Sequence, residues 1–157
     1  MQAAFERLVV PVSGSAIDSR VLDILPALLC KNGGAVTFLY VVEVAQAMRL
    51  DAELPAEIAA GEIALSFAER ATAKLMQERN VQLVTELLQA RAAGPAIVDE
   101  AIERRADAIV MTALVHRKHG RSTLGATTEH VLINAPCEVI VIRTVASRPR
   151  SNEVSRS

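Results

Sequence analysis

Tryptophan is absent and Tyr40 is the one tyrosine. The chain therefore absorbs little at 280 nm, and a bound purine surviving purification would dominate its ultraviolet spectrum. Cysteine is scarce too, with only Cys30 and Cys137. Two thiols make a poor disulfide scaffold and suit a reduced, cytoplasmic protein. Cys30 falls at the end of an apolar helix face and Cys137 at the start of a strand, so both read as packed thiols rather than nucleophiles. No sign of charge prevails: 17 Lys and Arg face 18 Asp and Glu, for a formal net charge of −1. A general role on nucleic acid or a membrane surface is therefore not expected. Nor does any apolar run approach the ~20 residues of a membrane helix. The opening MQAAFERLVV carries Glu6 and runs straight into a strand, unlike a secretory signal.

What the chain does have is aliphatic residues in strand and helix patterns. A length of 157 residues with 51% apolar content suits one domain whose sheet is covered on both faces. Residues 1–145 read as that domain. The Ser-, Arg- and Pro-rich stretch 146–157 reads as a disordered tail. Strands are predicted at Arg7–Val12, Ala35–Val42, Val81–Gln89, Ala108–Met111 and Glu138–Arg143, from short β-branched runs. Pro11 must lie near the strand end or at a non-donating position, because it cannot donate to a ladder. Thr85 and Glu86 mark Val81–Gln89 as an edge strand.

Helices alternate with these strands. Ser15-x-x-Asp18 predicts a loose capping box opening the first helix, whose buried stripe holds Ile17, Val21, Leu22, Leu25, Leu28 and Leu29. Pro26 should kink or shorten that helix before Asn32-Gly33-Gly34 ends it. A long helix spans Ala56–Arg79, with Ile58, Leu65, Ala68, Ala71, Leu75 and Met76 inward. Gly61 weakens it locally. Gly94-Pro95 opens the third helix, with Ile97, Val98, Ala101 and Ile102 inward. Ser122–Asn134 is the fourth, with Leu124, Thr128, Val131 and Leu132 on one face. Glu43–Pro55 reads as a loop with a short helical turn, rimming the strand ends. Strands alternating with helices argue an α/β doubly wound parallel sheet.

The stretch Asp107–Arg143 organises the rest, since strand, loop, helix and strand make a right-handed βαβ unit. Its NAPCEVIVIR closing strand and the preceding DAIVM resemble the universal stress protein family, and the likeness extends over Arg7–Arg143. The resemblance implies a Rossmann-like domain of strand order 3-2-1-4-5, usually dimeric, in ATP-binding and non-binding branches. ATP-binding members resemble one another in a phosphate loop, Gly-x2-Gly-x9-Gly-Ser/Thr. Its glycines let backbone N–H groups approach phosphate oxygens beside a helix N-terminus.

Laid on this sequence, the glycines fall on Thr112, Val115 and Gly125. The hydroxyl position is Ala126, with Thr127 next. A β-branched Val where glycine is needed blocks close approach and disfavours positive φ. The family's base-contacting acid falls on Ser13, while the backbone of Val41 stays available. The implied site is a degraded ATP site, with no cofactor expected.

Set against these losses, His116, Arg117, Lys118, His119 and Arg121 form a basic stretch predicted as a loop. It is either a solvated surface or a side-chain anion site where Arg117 and Lys118 reach phosphates. The second reading allows ATP, AMP or a cyclic nucleotide. His116, His119 and His130 lack a convergent further ligand in sequence, so no metal is expected. No catalytic base or triad can be drawn either, so a slow ATPase is the least favoured reading. The expected function is binding and regulation in the cytoplasm. The expected partner is a second copy, joined through Val139, Ile140, Val141, Ile142 and Arg143 on the last strand, whose apolar edge invites pairing.

Overall fold

Ten elements follow one another along residues 4–145, the part of the chain that the computed structural model describes. They are β1 (Arg7–Pro11), α1 (Asp18–Leu28), β2 (Ala35–Glu43), α2 (Pro55–Glu78), β3 (Gln82–Ala90), α3 (Ala93–Glu103), β4 (Ala108–Lys118), β5 (Arg121–Thr123), α4 (Ala126–Asn134) and β6 (Glu138–Val145). The tail expected at 146–157 lies outside the described residues. Five strands are parallel in the order β3-β2-β1-β4-β6. That is the expected order, with β6 as the fifth parallel strand. β3 and β6 are the edges, and Pro11 is the last residue of β1.

Alternation along the strands feeds two cores, one on each face. Leu8, Val10, Phe38 and Val110 point to the side covered by α1 and α2, where Leu25, Leu65 and Met76 meet them. Val9, Leu39, Ile109 and Met111 point to the other, under Ile97, Val98 and Ala101 of α3 and Val131 of α4. Each such fully buried aliphatic side chain contributes about 1.5–3 kcal/mol. The Asp107 carboxylate ties the bottom of the sheet together. Its Oδ2 accepts the N–H groups of Glu6 and Arg7, each at 2.9 Å, across 101 and 100 residues.

Several helix faces differ from their predicted form. In α2, Ala71 is exposed, and Gly61, Ala64 and Thr72 are buried instead. Gly61 is a packing residue: a Cβ there would meet the Tyr40 ring at 2.6 Å and Leu87 Cδ1 at 2.8 Å. Ile102 and Leu132, expected inside, are 56% and 47% exposed. α1 stops at Leu28, two residues after Pro26, which cannot donate to the Leu22 carbonyl.

The largest departure is in β4. It was expected to end at Met111 and give way to a loop. Instead it runs to Lys118, turns at His119 and Gly120, and returns as the antiparallel β5. β5 thus joins the five expected parallel strands as a short sixth, antiparallel to β4. Thr112 and Val115, expected at two glycine positions of a phosphate loop, explain this. Both are β-branched and favour extended backbone, so the strand continues. β6 lengthens with it, pairing as far as Val115 with Val145. His119 has φ 53° and Gly120 φ 72°, the two positive angles of a two-residue hairpin turn. Helix α4 therefore begins at Ala126, not Ser122.

Glu86, read as an edge signal, has a structural partner. Arg104 at the end of α3 donates from Nη2 to Glu86 Oε1 at 2.7 Å and from Nε to Glu100 Oε1 at 2.9 Å. Glu100 is only 5% exposed, and hydrogen bonding to it raises the Arg104 pKa further above its ordinary value. Removing Arg104 leaves a buried carboxylate unpaired. Such breaks cost about 3–5 kcal/mol when both groups are buried. Because Arg104 is one-third exposed, about 2 kcal/mol is expected for Arg104→Ala. Urea denaturation checks this. Adding Glu100→Gln should recover part of the loss, and no recovery would show that packing, not charge, was removed.

Candidate functional crevice

The strand order reverses beside β1, since β2 lies on one side of it and β4 on the other. At such a point the loops leaving neighbouring strands diverge and open a crevice beyond the carboxyl ends. A crevice of about 310 Å³ lies there. It is lined by Pro11, Val12 and Ser13 after β1, by Leu39, Tyr40 and Val41 of β2, and by Met111 and Thr112 of β4. Ala93 and Ile97 of α3 and Thr127 of α4 complete it. No lining residue is charged. Four predicted site residues, Ser13, Val41, Thr112 and Thr127, thus meet in one place. The apolar members were missed. Ala93 and Ile97 sit four apart on one helix face, but nothing in the sequence aims that face at the end of β1.

Ser13 is positioned by a residue that sequence reading assigned elsewhere. Asp18 does not cap α1: Ile17 is the N-cap, with no side-chain cap bond. The Asp18 carboxylate turns back instead, only 4% exposed. It accepts the N–H groups of Ser13 at 3.0 Å and Gly14 at 2.8 Å, and the Ser13 hydroxyl at 2.9 Å. With its proton committed to Asp18, Ser13 Oγ accepts from Ser15 Oγ at 2.8 Å and from the Ser15 N–H at 3.3 Å. A hydroxyl offers one donor and two acceptor positions. All three are in use, so Ser13 lines the crevice with no hydrogen bond to spare.

The other predicted residues are not brought together there. Val115, Arg117, Gly125 and Ala126 are absent from the lining. Val115 and Arg117 lie on the extended β4, and Arg117 is exposed. The side chains of His116 and Lys118 lie outside the described residues. Gly125, at φ 85°, is the N-cap of α4, and its N–H is taken by Thr123 Oγ1 at 3.1 Å. The backbone of the basic stretch is therefore a hairpin, on which Arg117, His119 and Arg121 are exposed.

The sequence pattern of the universal stress protein family matches residues 4–143. The chain belongs to the universal stress protein family. A universal stress protein of Methanocaldococcus jannaschii is 28% identical over 145 residues, which are 88% of this chain and 82% of that protein. The structure of the universal stress protein from Archaeoglobus fulgidus has 24% identity and a TM-score of 0.65, over 88% of this chain and 94% of that one. Its complex with dAMP has 22% identity and a TM-score of 0.66, over 90% and 99%. These likenesses carry the fold.

In this universal stress protein the segment after β2 does not rim the crevice as predicted. It is pinned against the end of β3. Arg91 Nη1 donates to the carbonyls of Ala45 at 2.6 Å and Met48 at 2.8 Å, and Gln89 Nε2 donates to those of Leu50 at 3.1 Å and Ala52 at 3.0 Å. Two side chains thus donate to four loop carbonyls, of which, among the described residues, only that of Ala45 also accepts a backbone N–H, from Met48 at 3.0 Å. Both cysteines are free. Burial, aided by Asp107, pushes the Cys137 thiol up, which keeps it protonated and unreactive. Among the described residues, no helix is long and apolar enough to cross a membrane, and no three His, Cys, Asp or Glu residues are placed to hold a metal ion.

Proposed function

We propose that this universal stress protein acts by binding, without catalysis, and that its crevice no longer anchors nucleotide phosphates. One observation carries the reading: β4 runs as strand through both replaced glycine positions and into the hairpin. Alternate backbone N–H groups there bond to β6, and the rest are spaced singly along an extended strand, so they do not converge on one anion. The lining offers no carboxylate, histidine or cysteine as a catalytic base. Two free thiols favour a reducing, cytoplasmic setting. The test is the ultraviolet spectrum of the purified protein. The absorbance near 260 nm should show no purine. A stoichiometric purine signal would favour the second reading, a regulator that takes ATP, AMP or a cyclic nucleotide with help from the basic hairpin. The dAMP complex of the Archaeoglobus fulgidus protein is what supports that alternative.

We also propose a homodimer paired edge to edge through β6. Its apolar character on both faces has a cause within one chain: Ile140 and Ile142 pack on one core, Val139 and Val141 on the other. The outer backbone edge is different. Among the described residues β6 pairs only with β4, which leaves a row of N–H and C=O groups for a second copy across a two-fold axis. Proline at position 141, which offers no N–H and resists a ladder, should turn a dimer into a monomer in light scattering. A monomer in the unaltered protein at micromolar concentration sinks the proposal.

A further inference from the structure

We infer that a small monocarboxylate binds in a second hollow, at the amino ends of β1, β2 and β3, held by the guanidinium of Arg7 and the hydroxyl of Thr37. This hollow, of about 190 Å³, lies at the opposite end of the sheet from the crevice, and the inference does not depend on what the crevice takes. The register explains its place. Arg7, Ala35 and Gln82 are the first residues of their strands and stand side by side. Thr37 and Val84, each two residues further along, share their face, the one to which Val9 and Leu39 point. That face is covered by α3, which ends at Glu103, and residues 104–107 return directly to β4. The sheet below the end of α3 stays open, and the hollow lies there.

Thr37 is the decisive group. It is only 3% exposed, yet among the described residues its hydroxyl makes no hydrogen bond. No side-chain N or O sealed from solvent there lacks a partner, so the Thr37 oxygen opens on the hollow it lines. A buried hydroxyl without a partner is costly, and a ligand oxygen would satisfy it. Around it the lining presents donors and no carboxylate. Arg104 spends Nε on Glu100 and Nη2 on Glu86. Arg7 makes no ion pair among the described residues, and the Asp107 carboxylate beside it is engaged by backbone N–H groups. The charges of Arg7, Arg104, Glu86 and Glu100 sum to zero. A dianion therefore finds nothing to balance it, whereas a single negative charge pairs with Arg7. The planar guanidinium fork suits a carboxylate. At the end of α3 the carbonyls of Glu100, Ala101 and Ile102 already accept the N–H groups of Arg104, Ala106 and Arg105, so these three are not turned on the ligand. Val84 and Ala106 offer walls to a short apolar body. At about 30 Å³ for each water-sized group, the hollow has room for roughly six heavy atoms, the size of a short-chain acid.

Nuclear magnetic resonance tests this on the whole chain at constant ionic strength, with sodium propionate, sodium phosphate, sodium chloride and 1-propanol as probes. Propionate should shift the amide signals of Thr37, Val84 and Ala106 along a saturating curve, and leave those of Val41 and Thr112 in the crevice unmoved. Chloride and 1-propanol should not move them, and phosphate should bind more weakly than propionate. Arg7→Gln, at an exposed site, should weaken propionate about tenfold or more, as the loss of a hydrogen bond to a charged group implies. The isosteric Thr37→Val should also weaken it, while Thr37→Ser, which keeps the hydroxyl, changes it less. If propionate leaves the three amides unmoved, or chloride moves them equally, the inference falls. Tighter binding of phosphate overturns the choice of a monocarboxylate. An Arg7→Gln protein that folds and binds propionate unchanged overturns the assignment of the guanidinium.

Discussion

Calorimetry with ATP at physiological salt should register no micromolar binding. On the proposed reading three contacts are lost. By the family likeness Thr112 and Val115 fall at two phosphate-loop glycines, and both lie inside a continuous strand. By the same likeness Ser13 falls at the base-contacting acid, and its hydroxyl is spent. A hydrogen bond to a charged group is worth about 1.5–3 kcal/mol. Two or three losses lower affinity from about a hundredfold to many thousandfold, at tenfold per 1.4 kcal/mol. Arg117 offers a partial offset, but it is exposed on the hairpin. Charges on such a surface are screened beyond about 8 Å at physiological ionic strength. Whatever ATP, AMP or cyclic-nucleotide binding appears at low salt should therefore fade as salt is added. Micromolar ATP at physiological salt, with the base between Ser13 and Val41, would show that this hairpin opens into a loop on binding.

Asp18→Ala should cost about 3 kcal/mol, which for a chain of this length lowers the melting temperature by roughly 6–12 °C. Few side chains here do as much as this one. Its buried carboxylate satisfies two backbone N–H groups and a hydroxyl at the turn after β1. Alanine leaves those donors without an acceptor, and each orphaned buried donor costs about 1–3 kcal/mol. Asn keeps the size and one acceptor oxygen but presents an NH₂ to the remaining donors, so it should recover only part of the loss. Differential scanning calorimetry of the two variants gives the order. An Asp18→Ala protein that melts as the parent does would mean the turn finds water in place of the carboxylate.

The parts legible in the sequence were those set by periodicity. β1, β2 and β3 showed as β-branched runs, and α2 as a long amphipathic stretch over Ala56–Arg79. The strand order came with the family likeness of NAPCEVIVIR. The course of β4 was not legible, although its cause was. Thr112 and Val115 were recognised as unfit for a phosphate loop, yet the likeness kept a loop there. Read by propensity alone, the β-branched Thr112 and Val115 favour a continuing strand, and His119-Gly120 is a turn of the two-residue kind. Asp18 was misread for a different reason. Ser-x-x-Asp looks the same whether the acid serves its own helix or reaches back to the preceding turn. Only the direction of the side chain separates the two.

The bond from Asp107 to the backbone of Glu6 and Arg7 also bears on the order of assembly. β1 can pair with β2 as soon as about 45 residues are made, and β3 can follow. Its other side must wait for Asp107 and the start of β4, roughly 65 residues later. At about 5–20 residues per second of synthesis, that is a delay of roughly 3–13 s. For that interval the first half of the sheet has an open inner edge in β1, where a neighbouring nascent copy offers the same β4. This point in the life of the chain is the one most exposed to swapping between molecules. Slower elongation between β3 and β4 should therefore raise the aggregated fraction, even though the finished fold is unchanged.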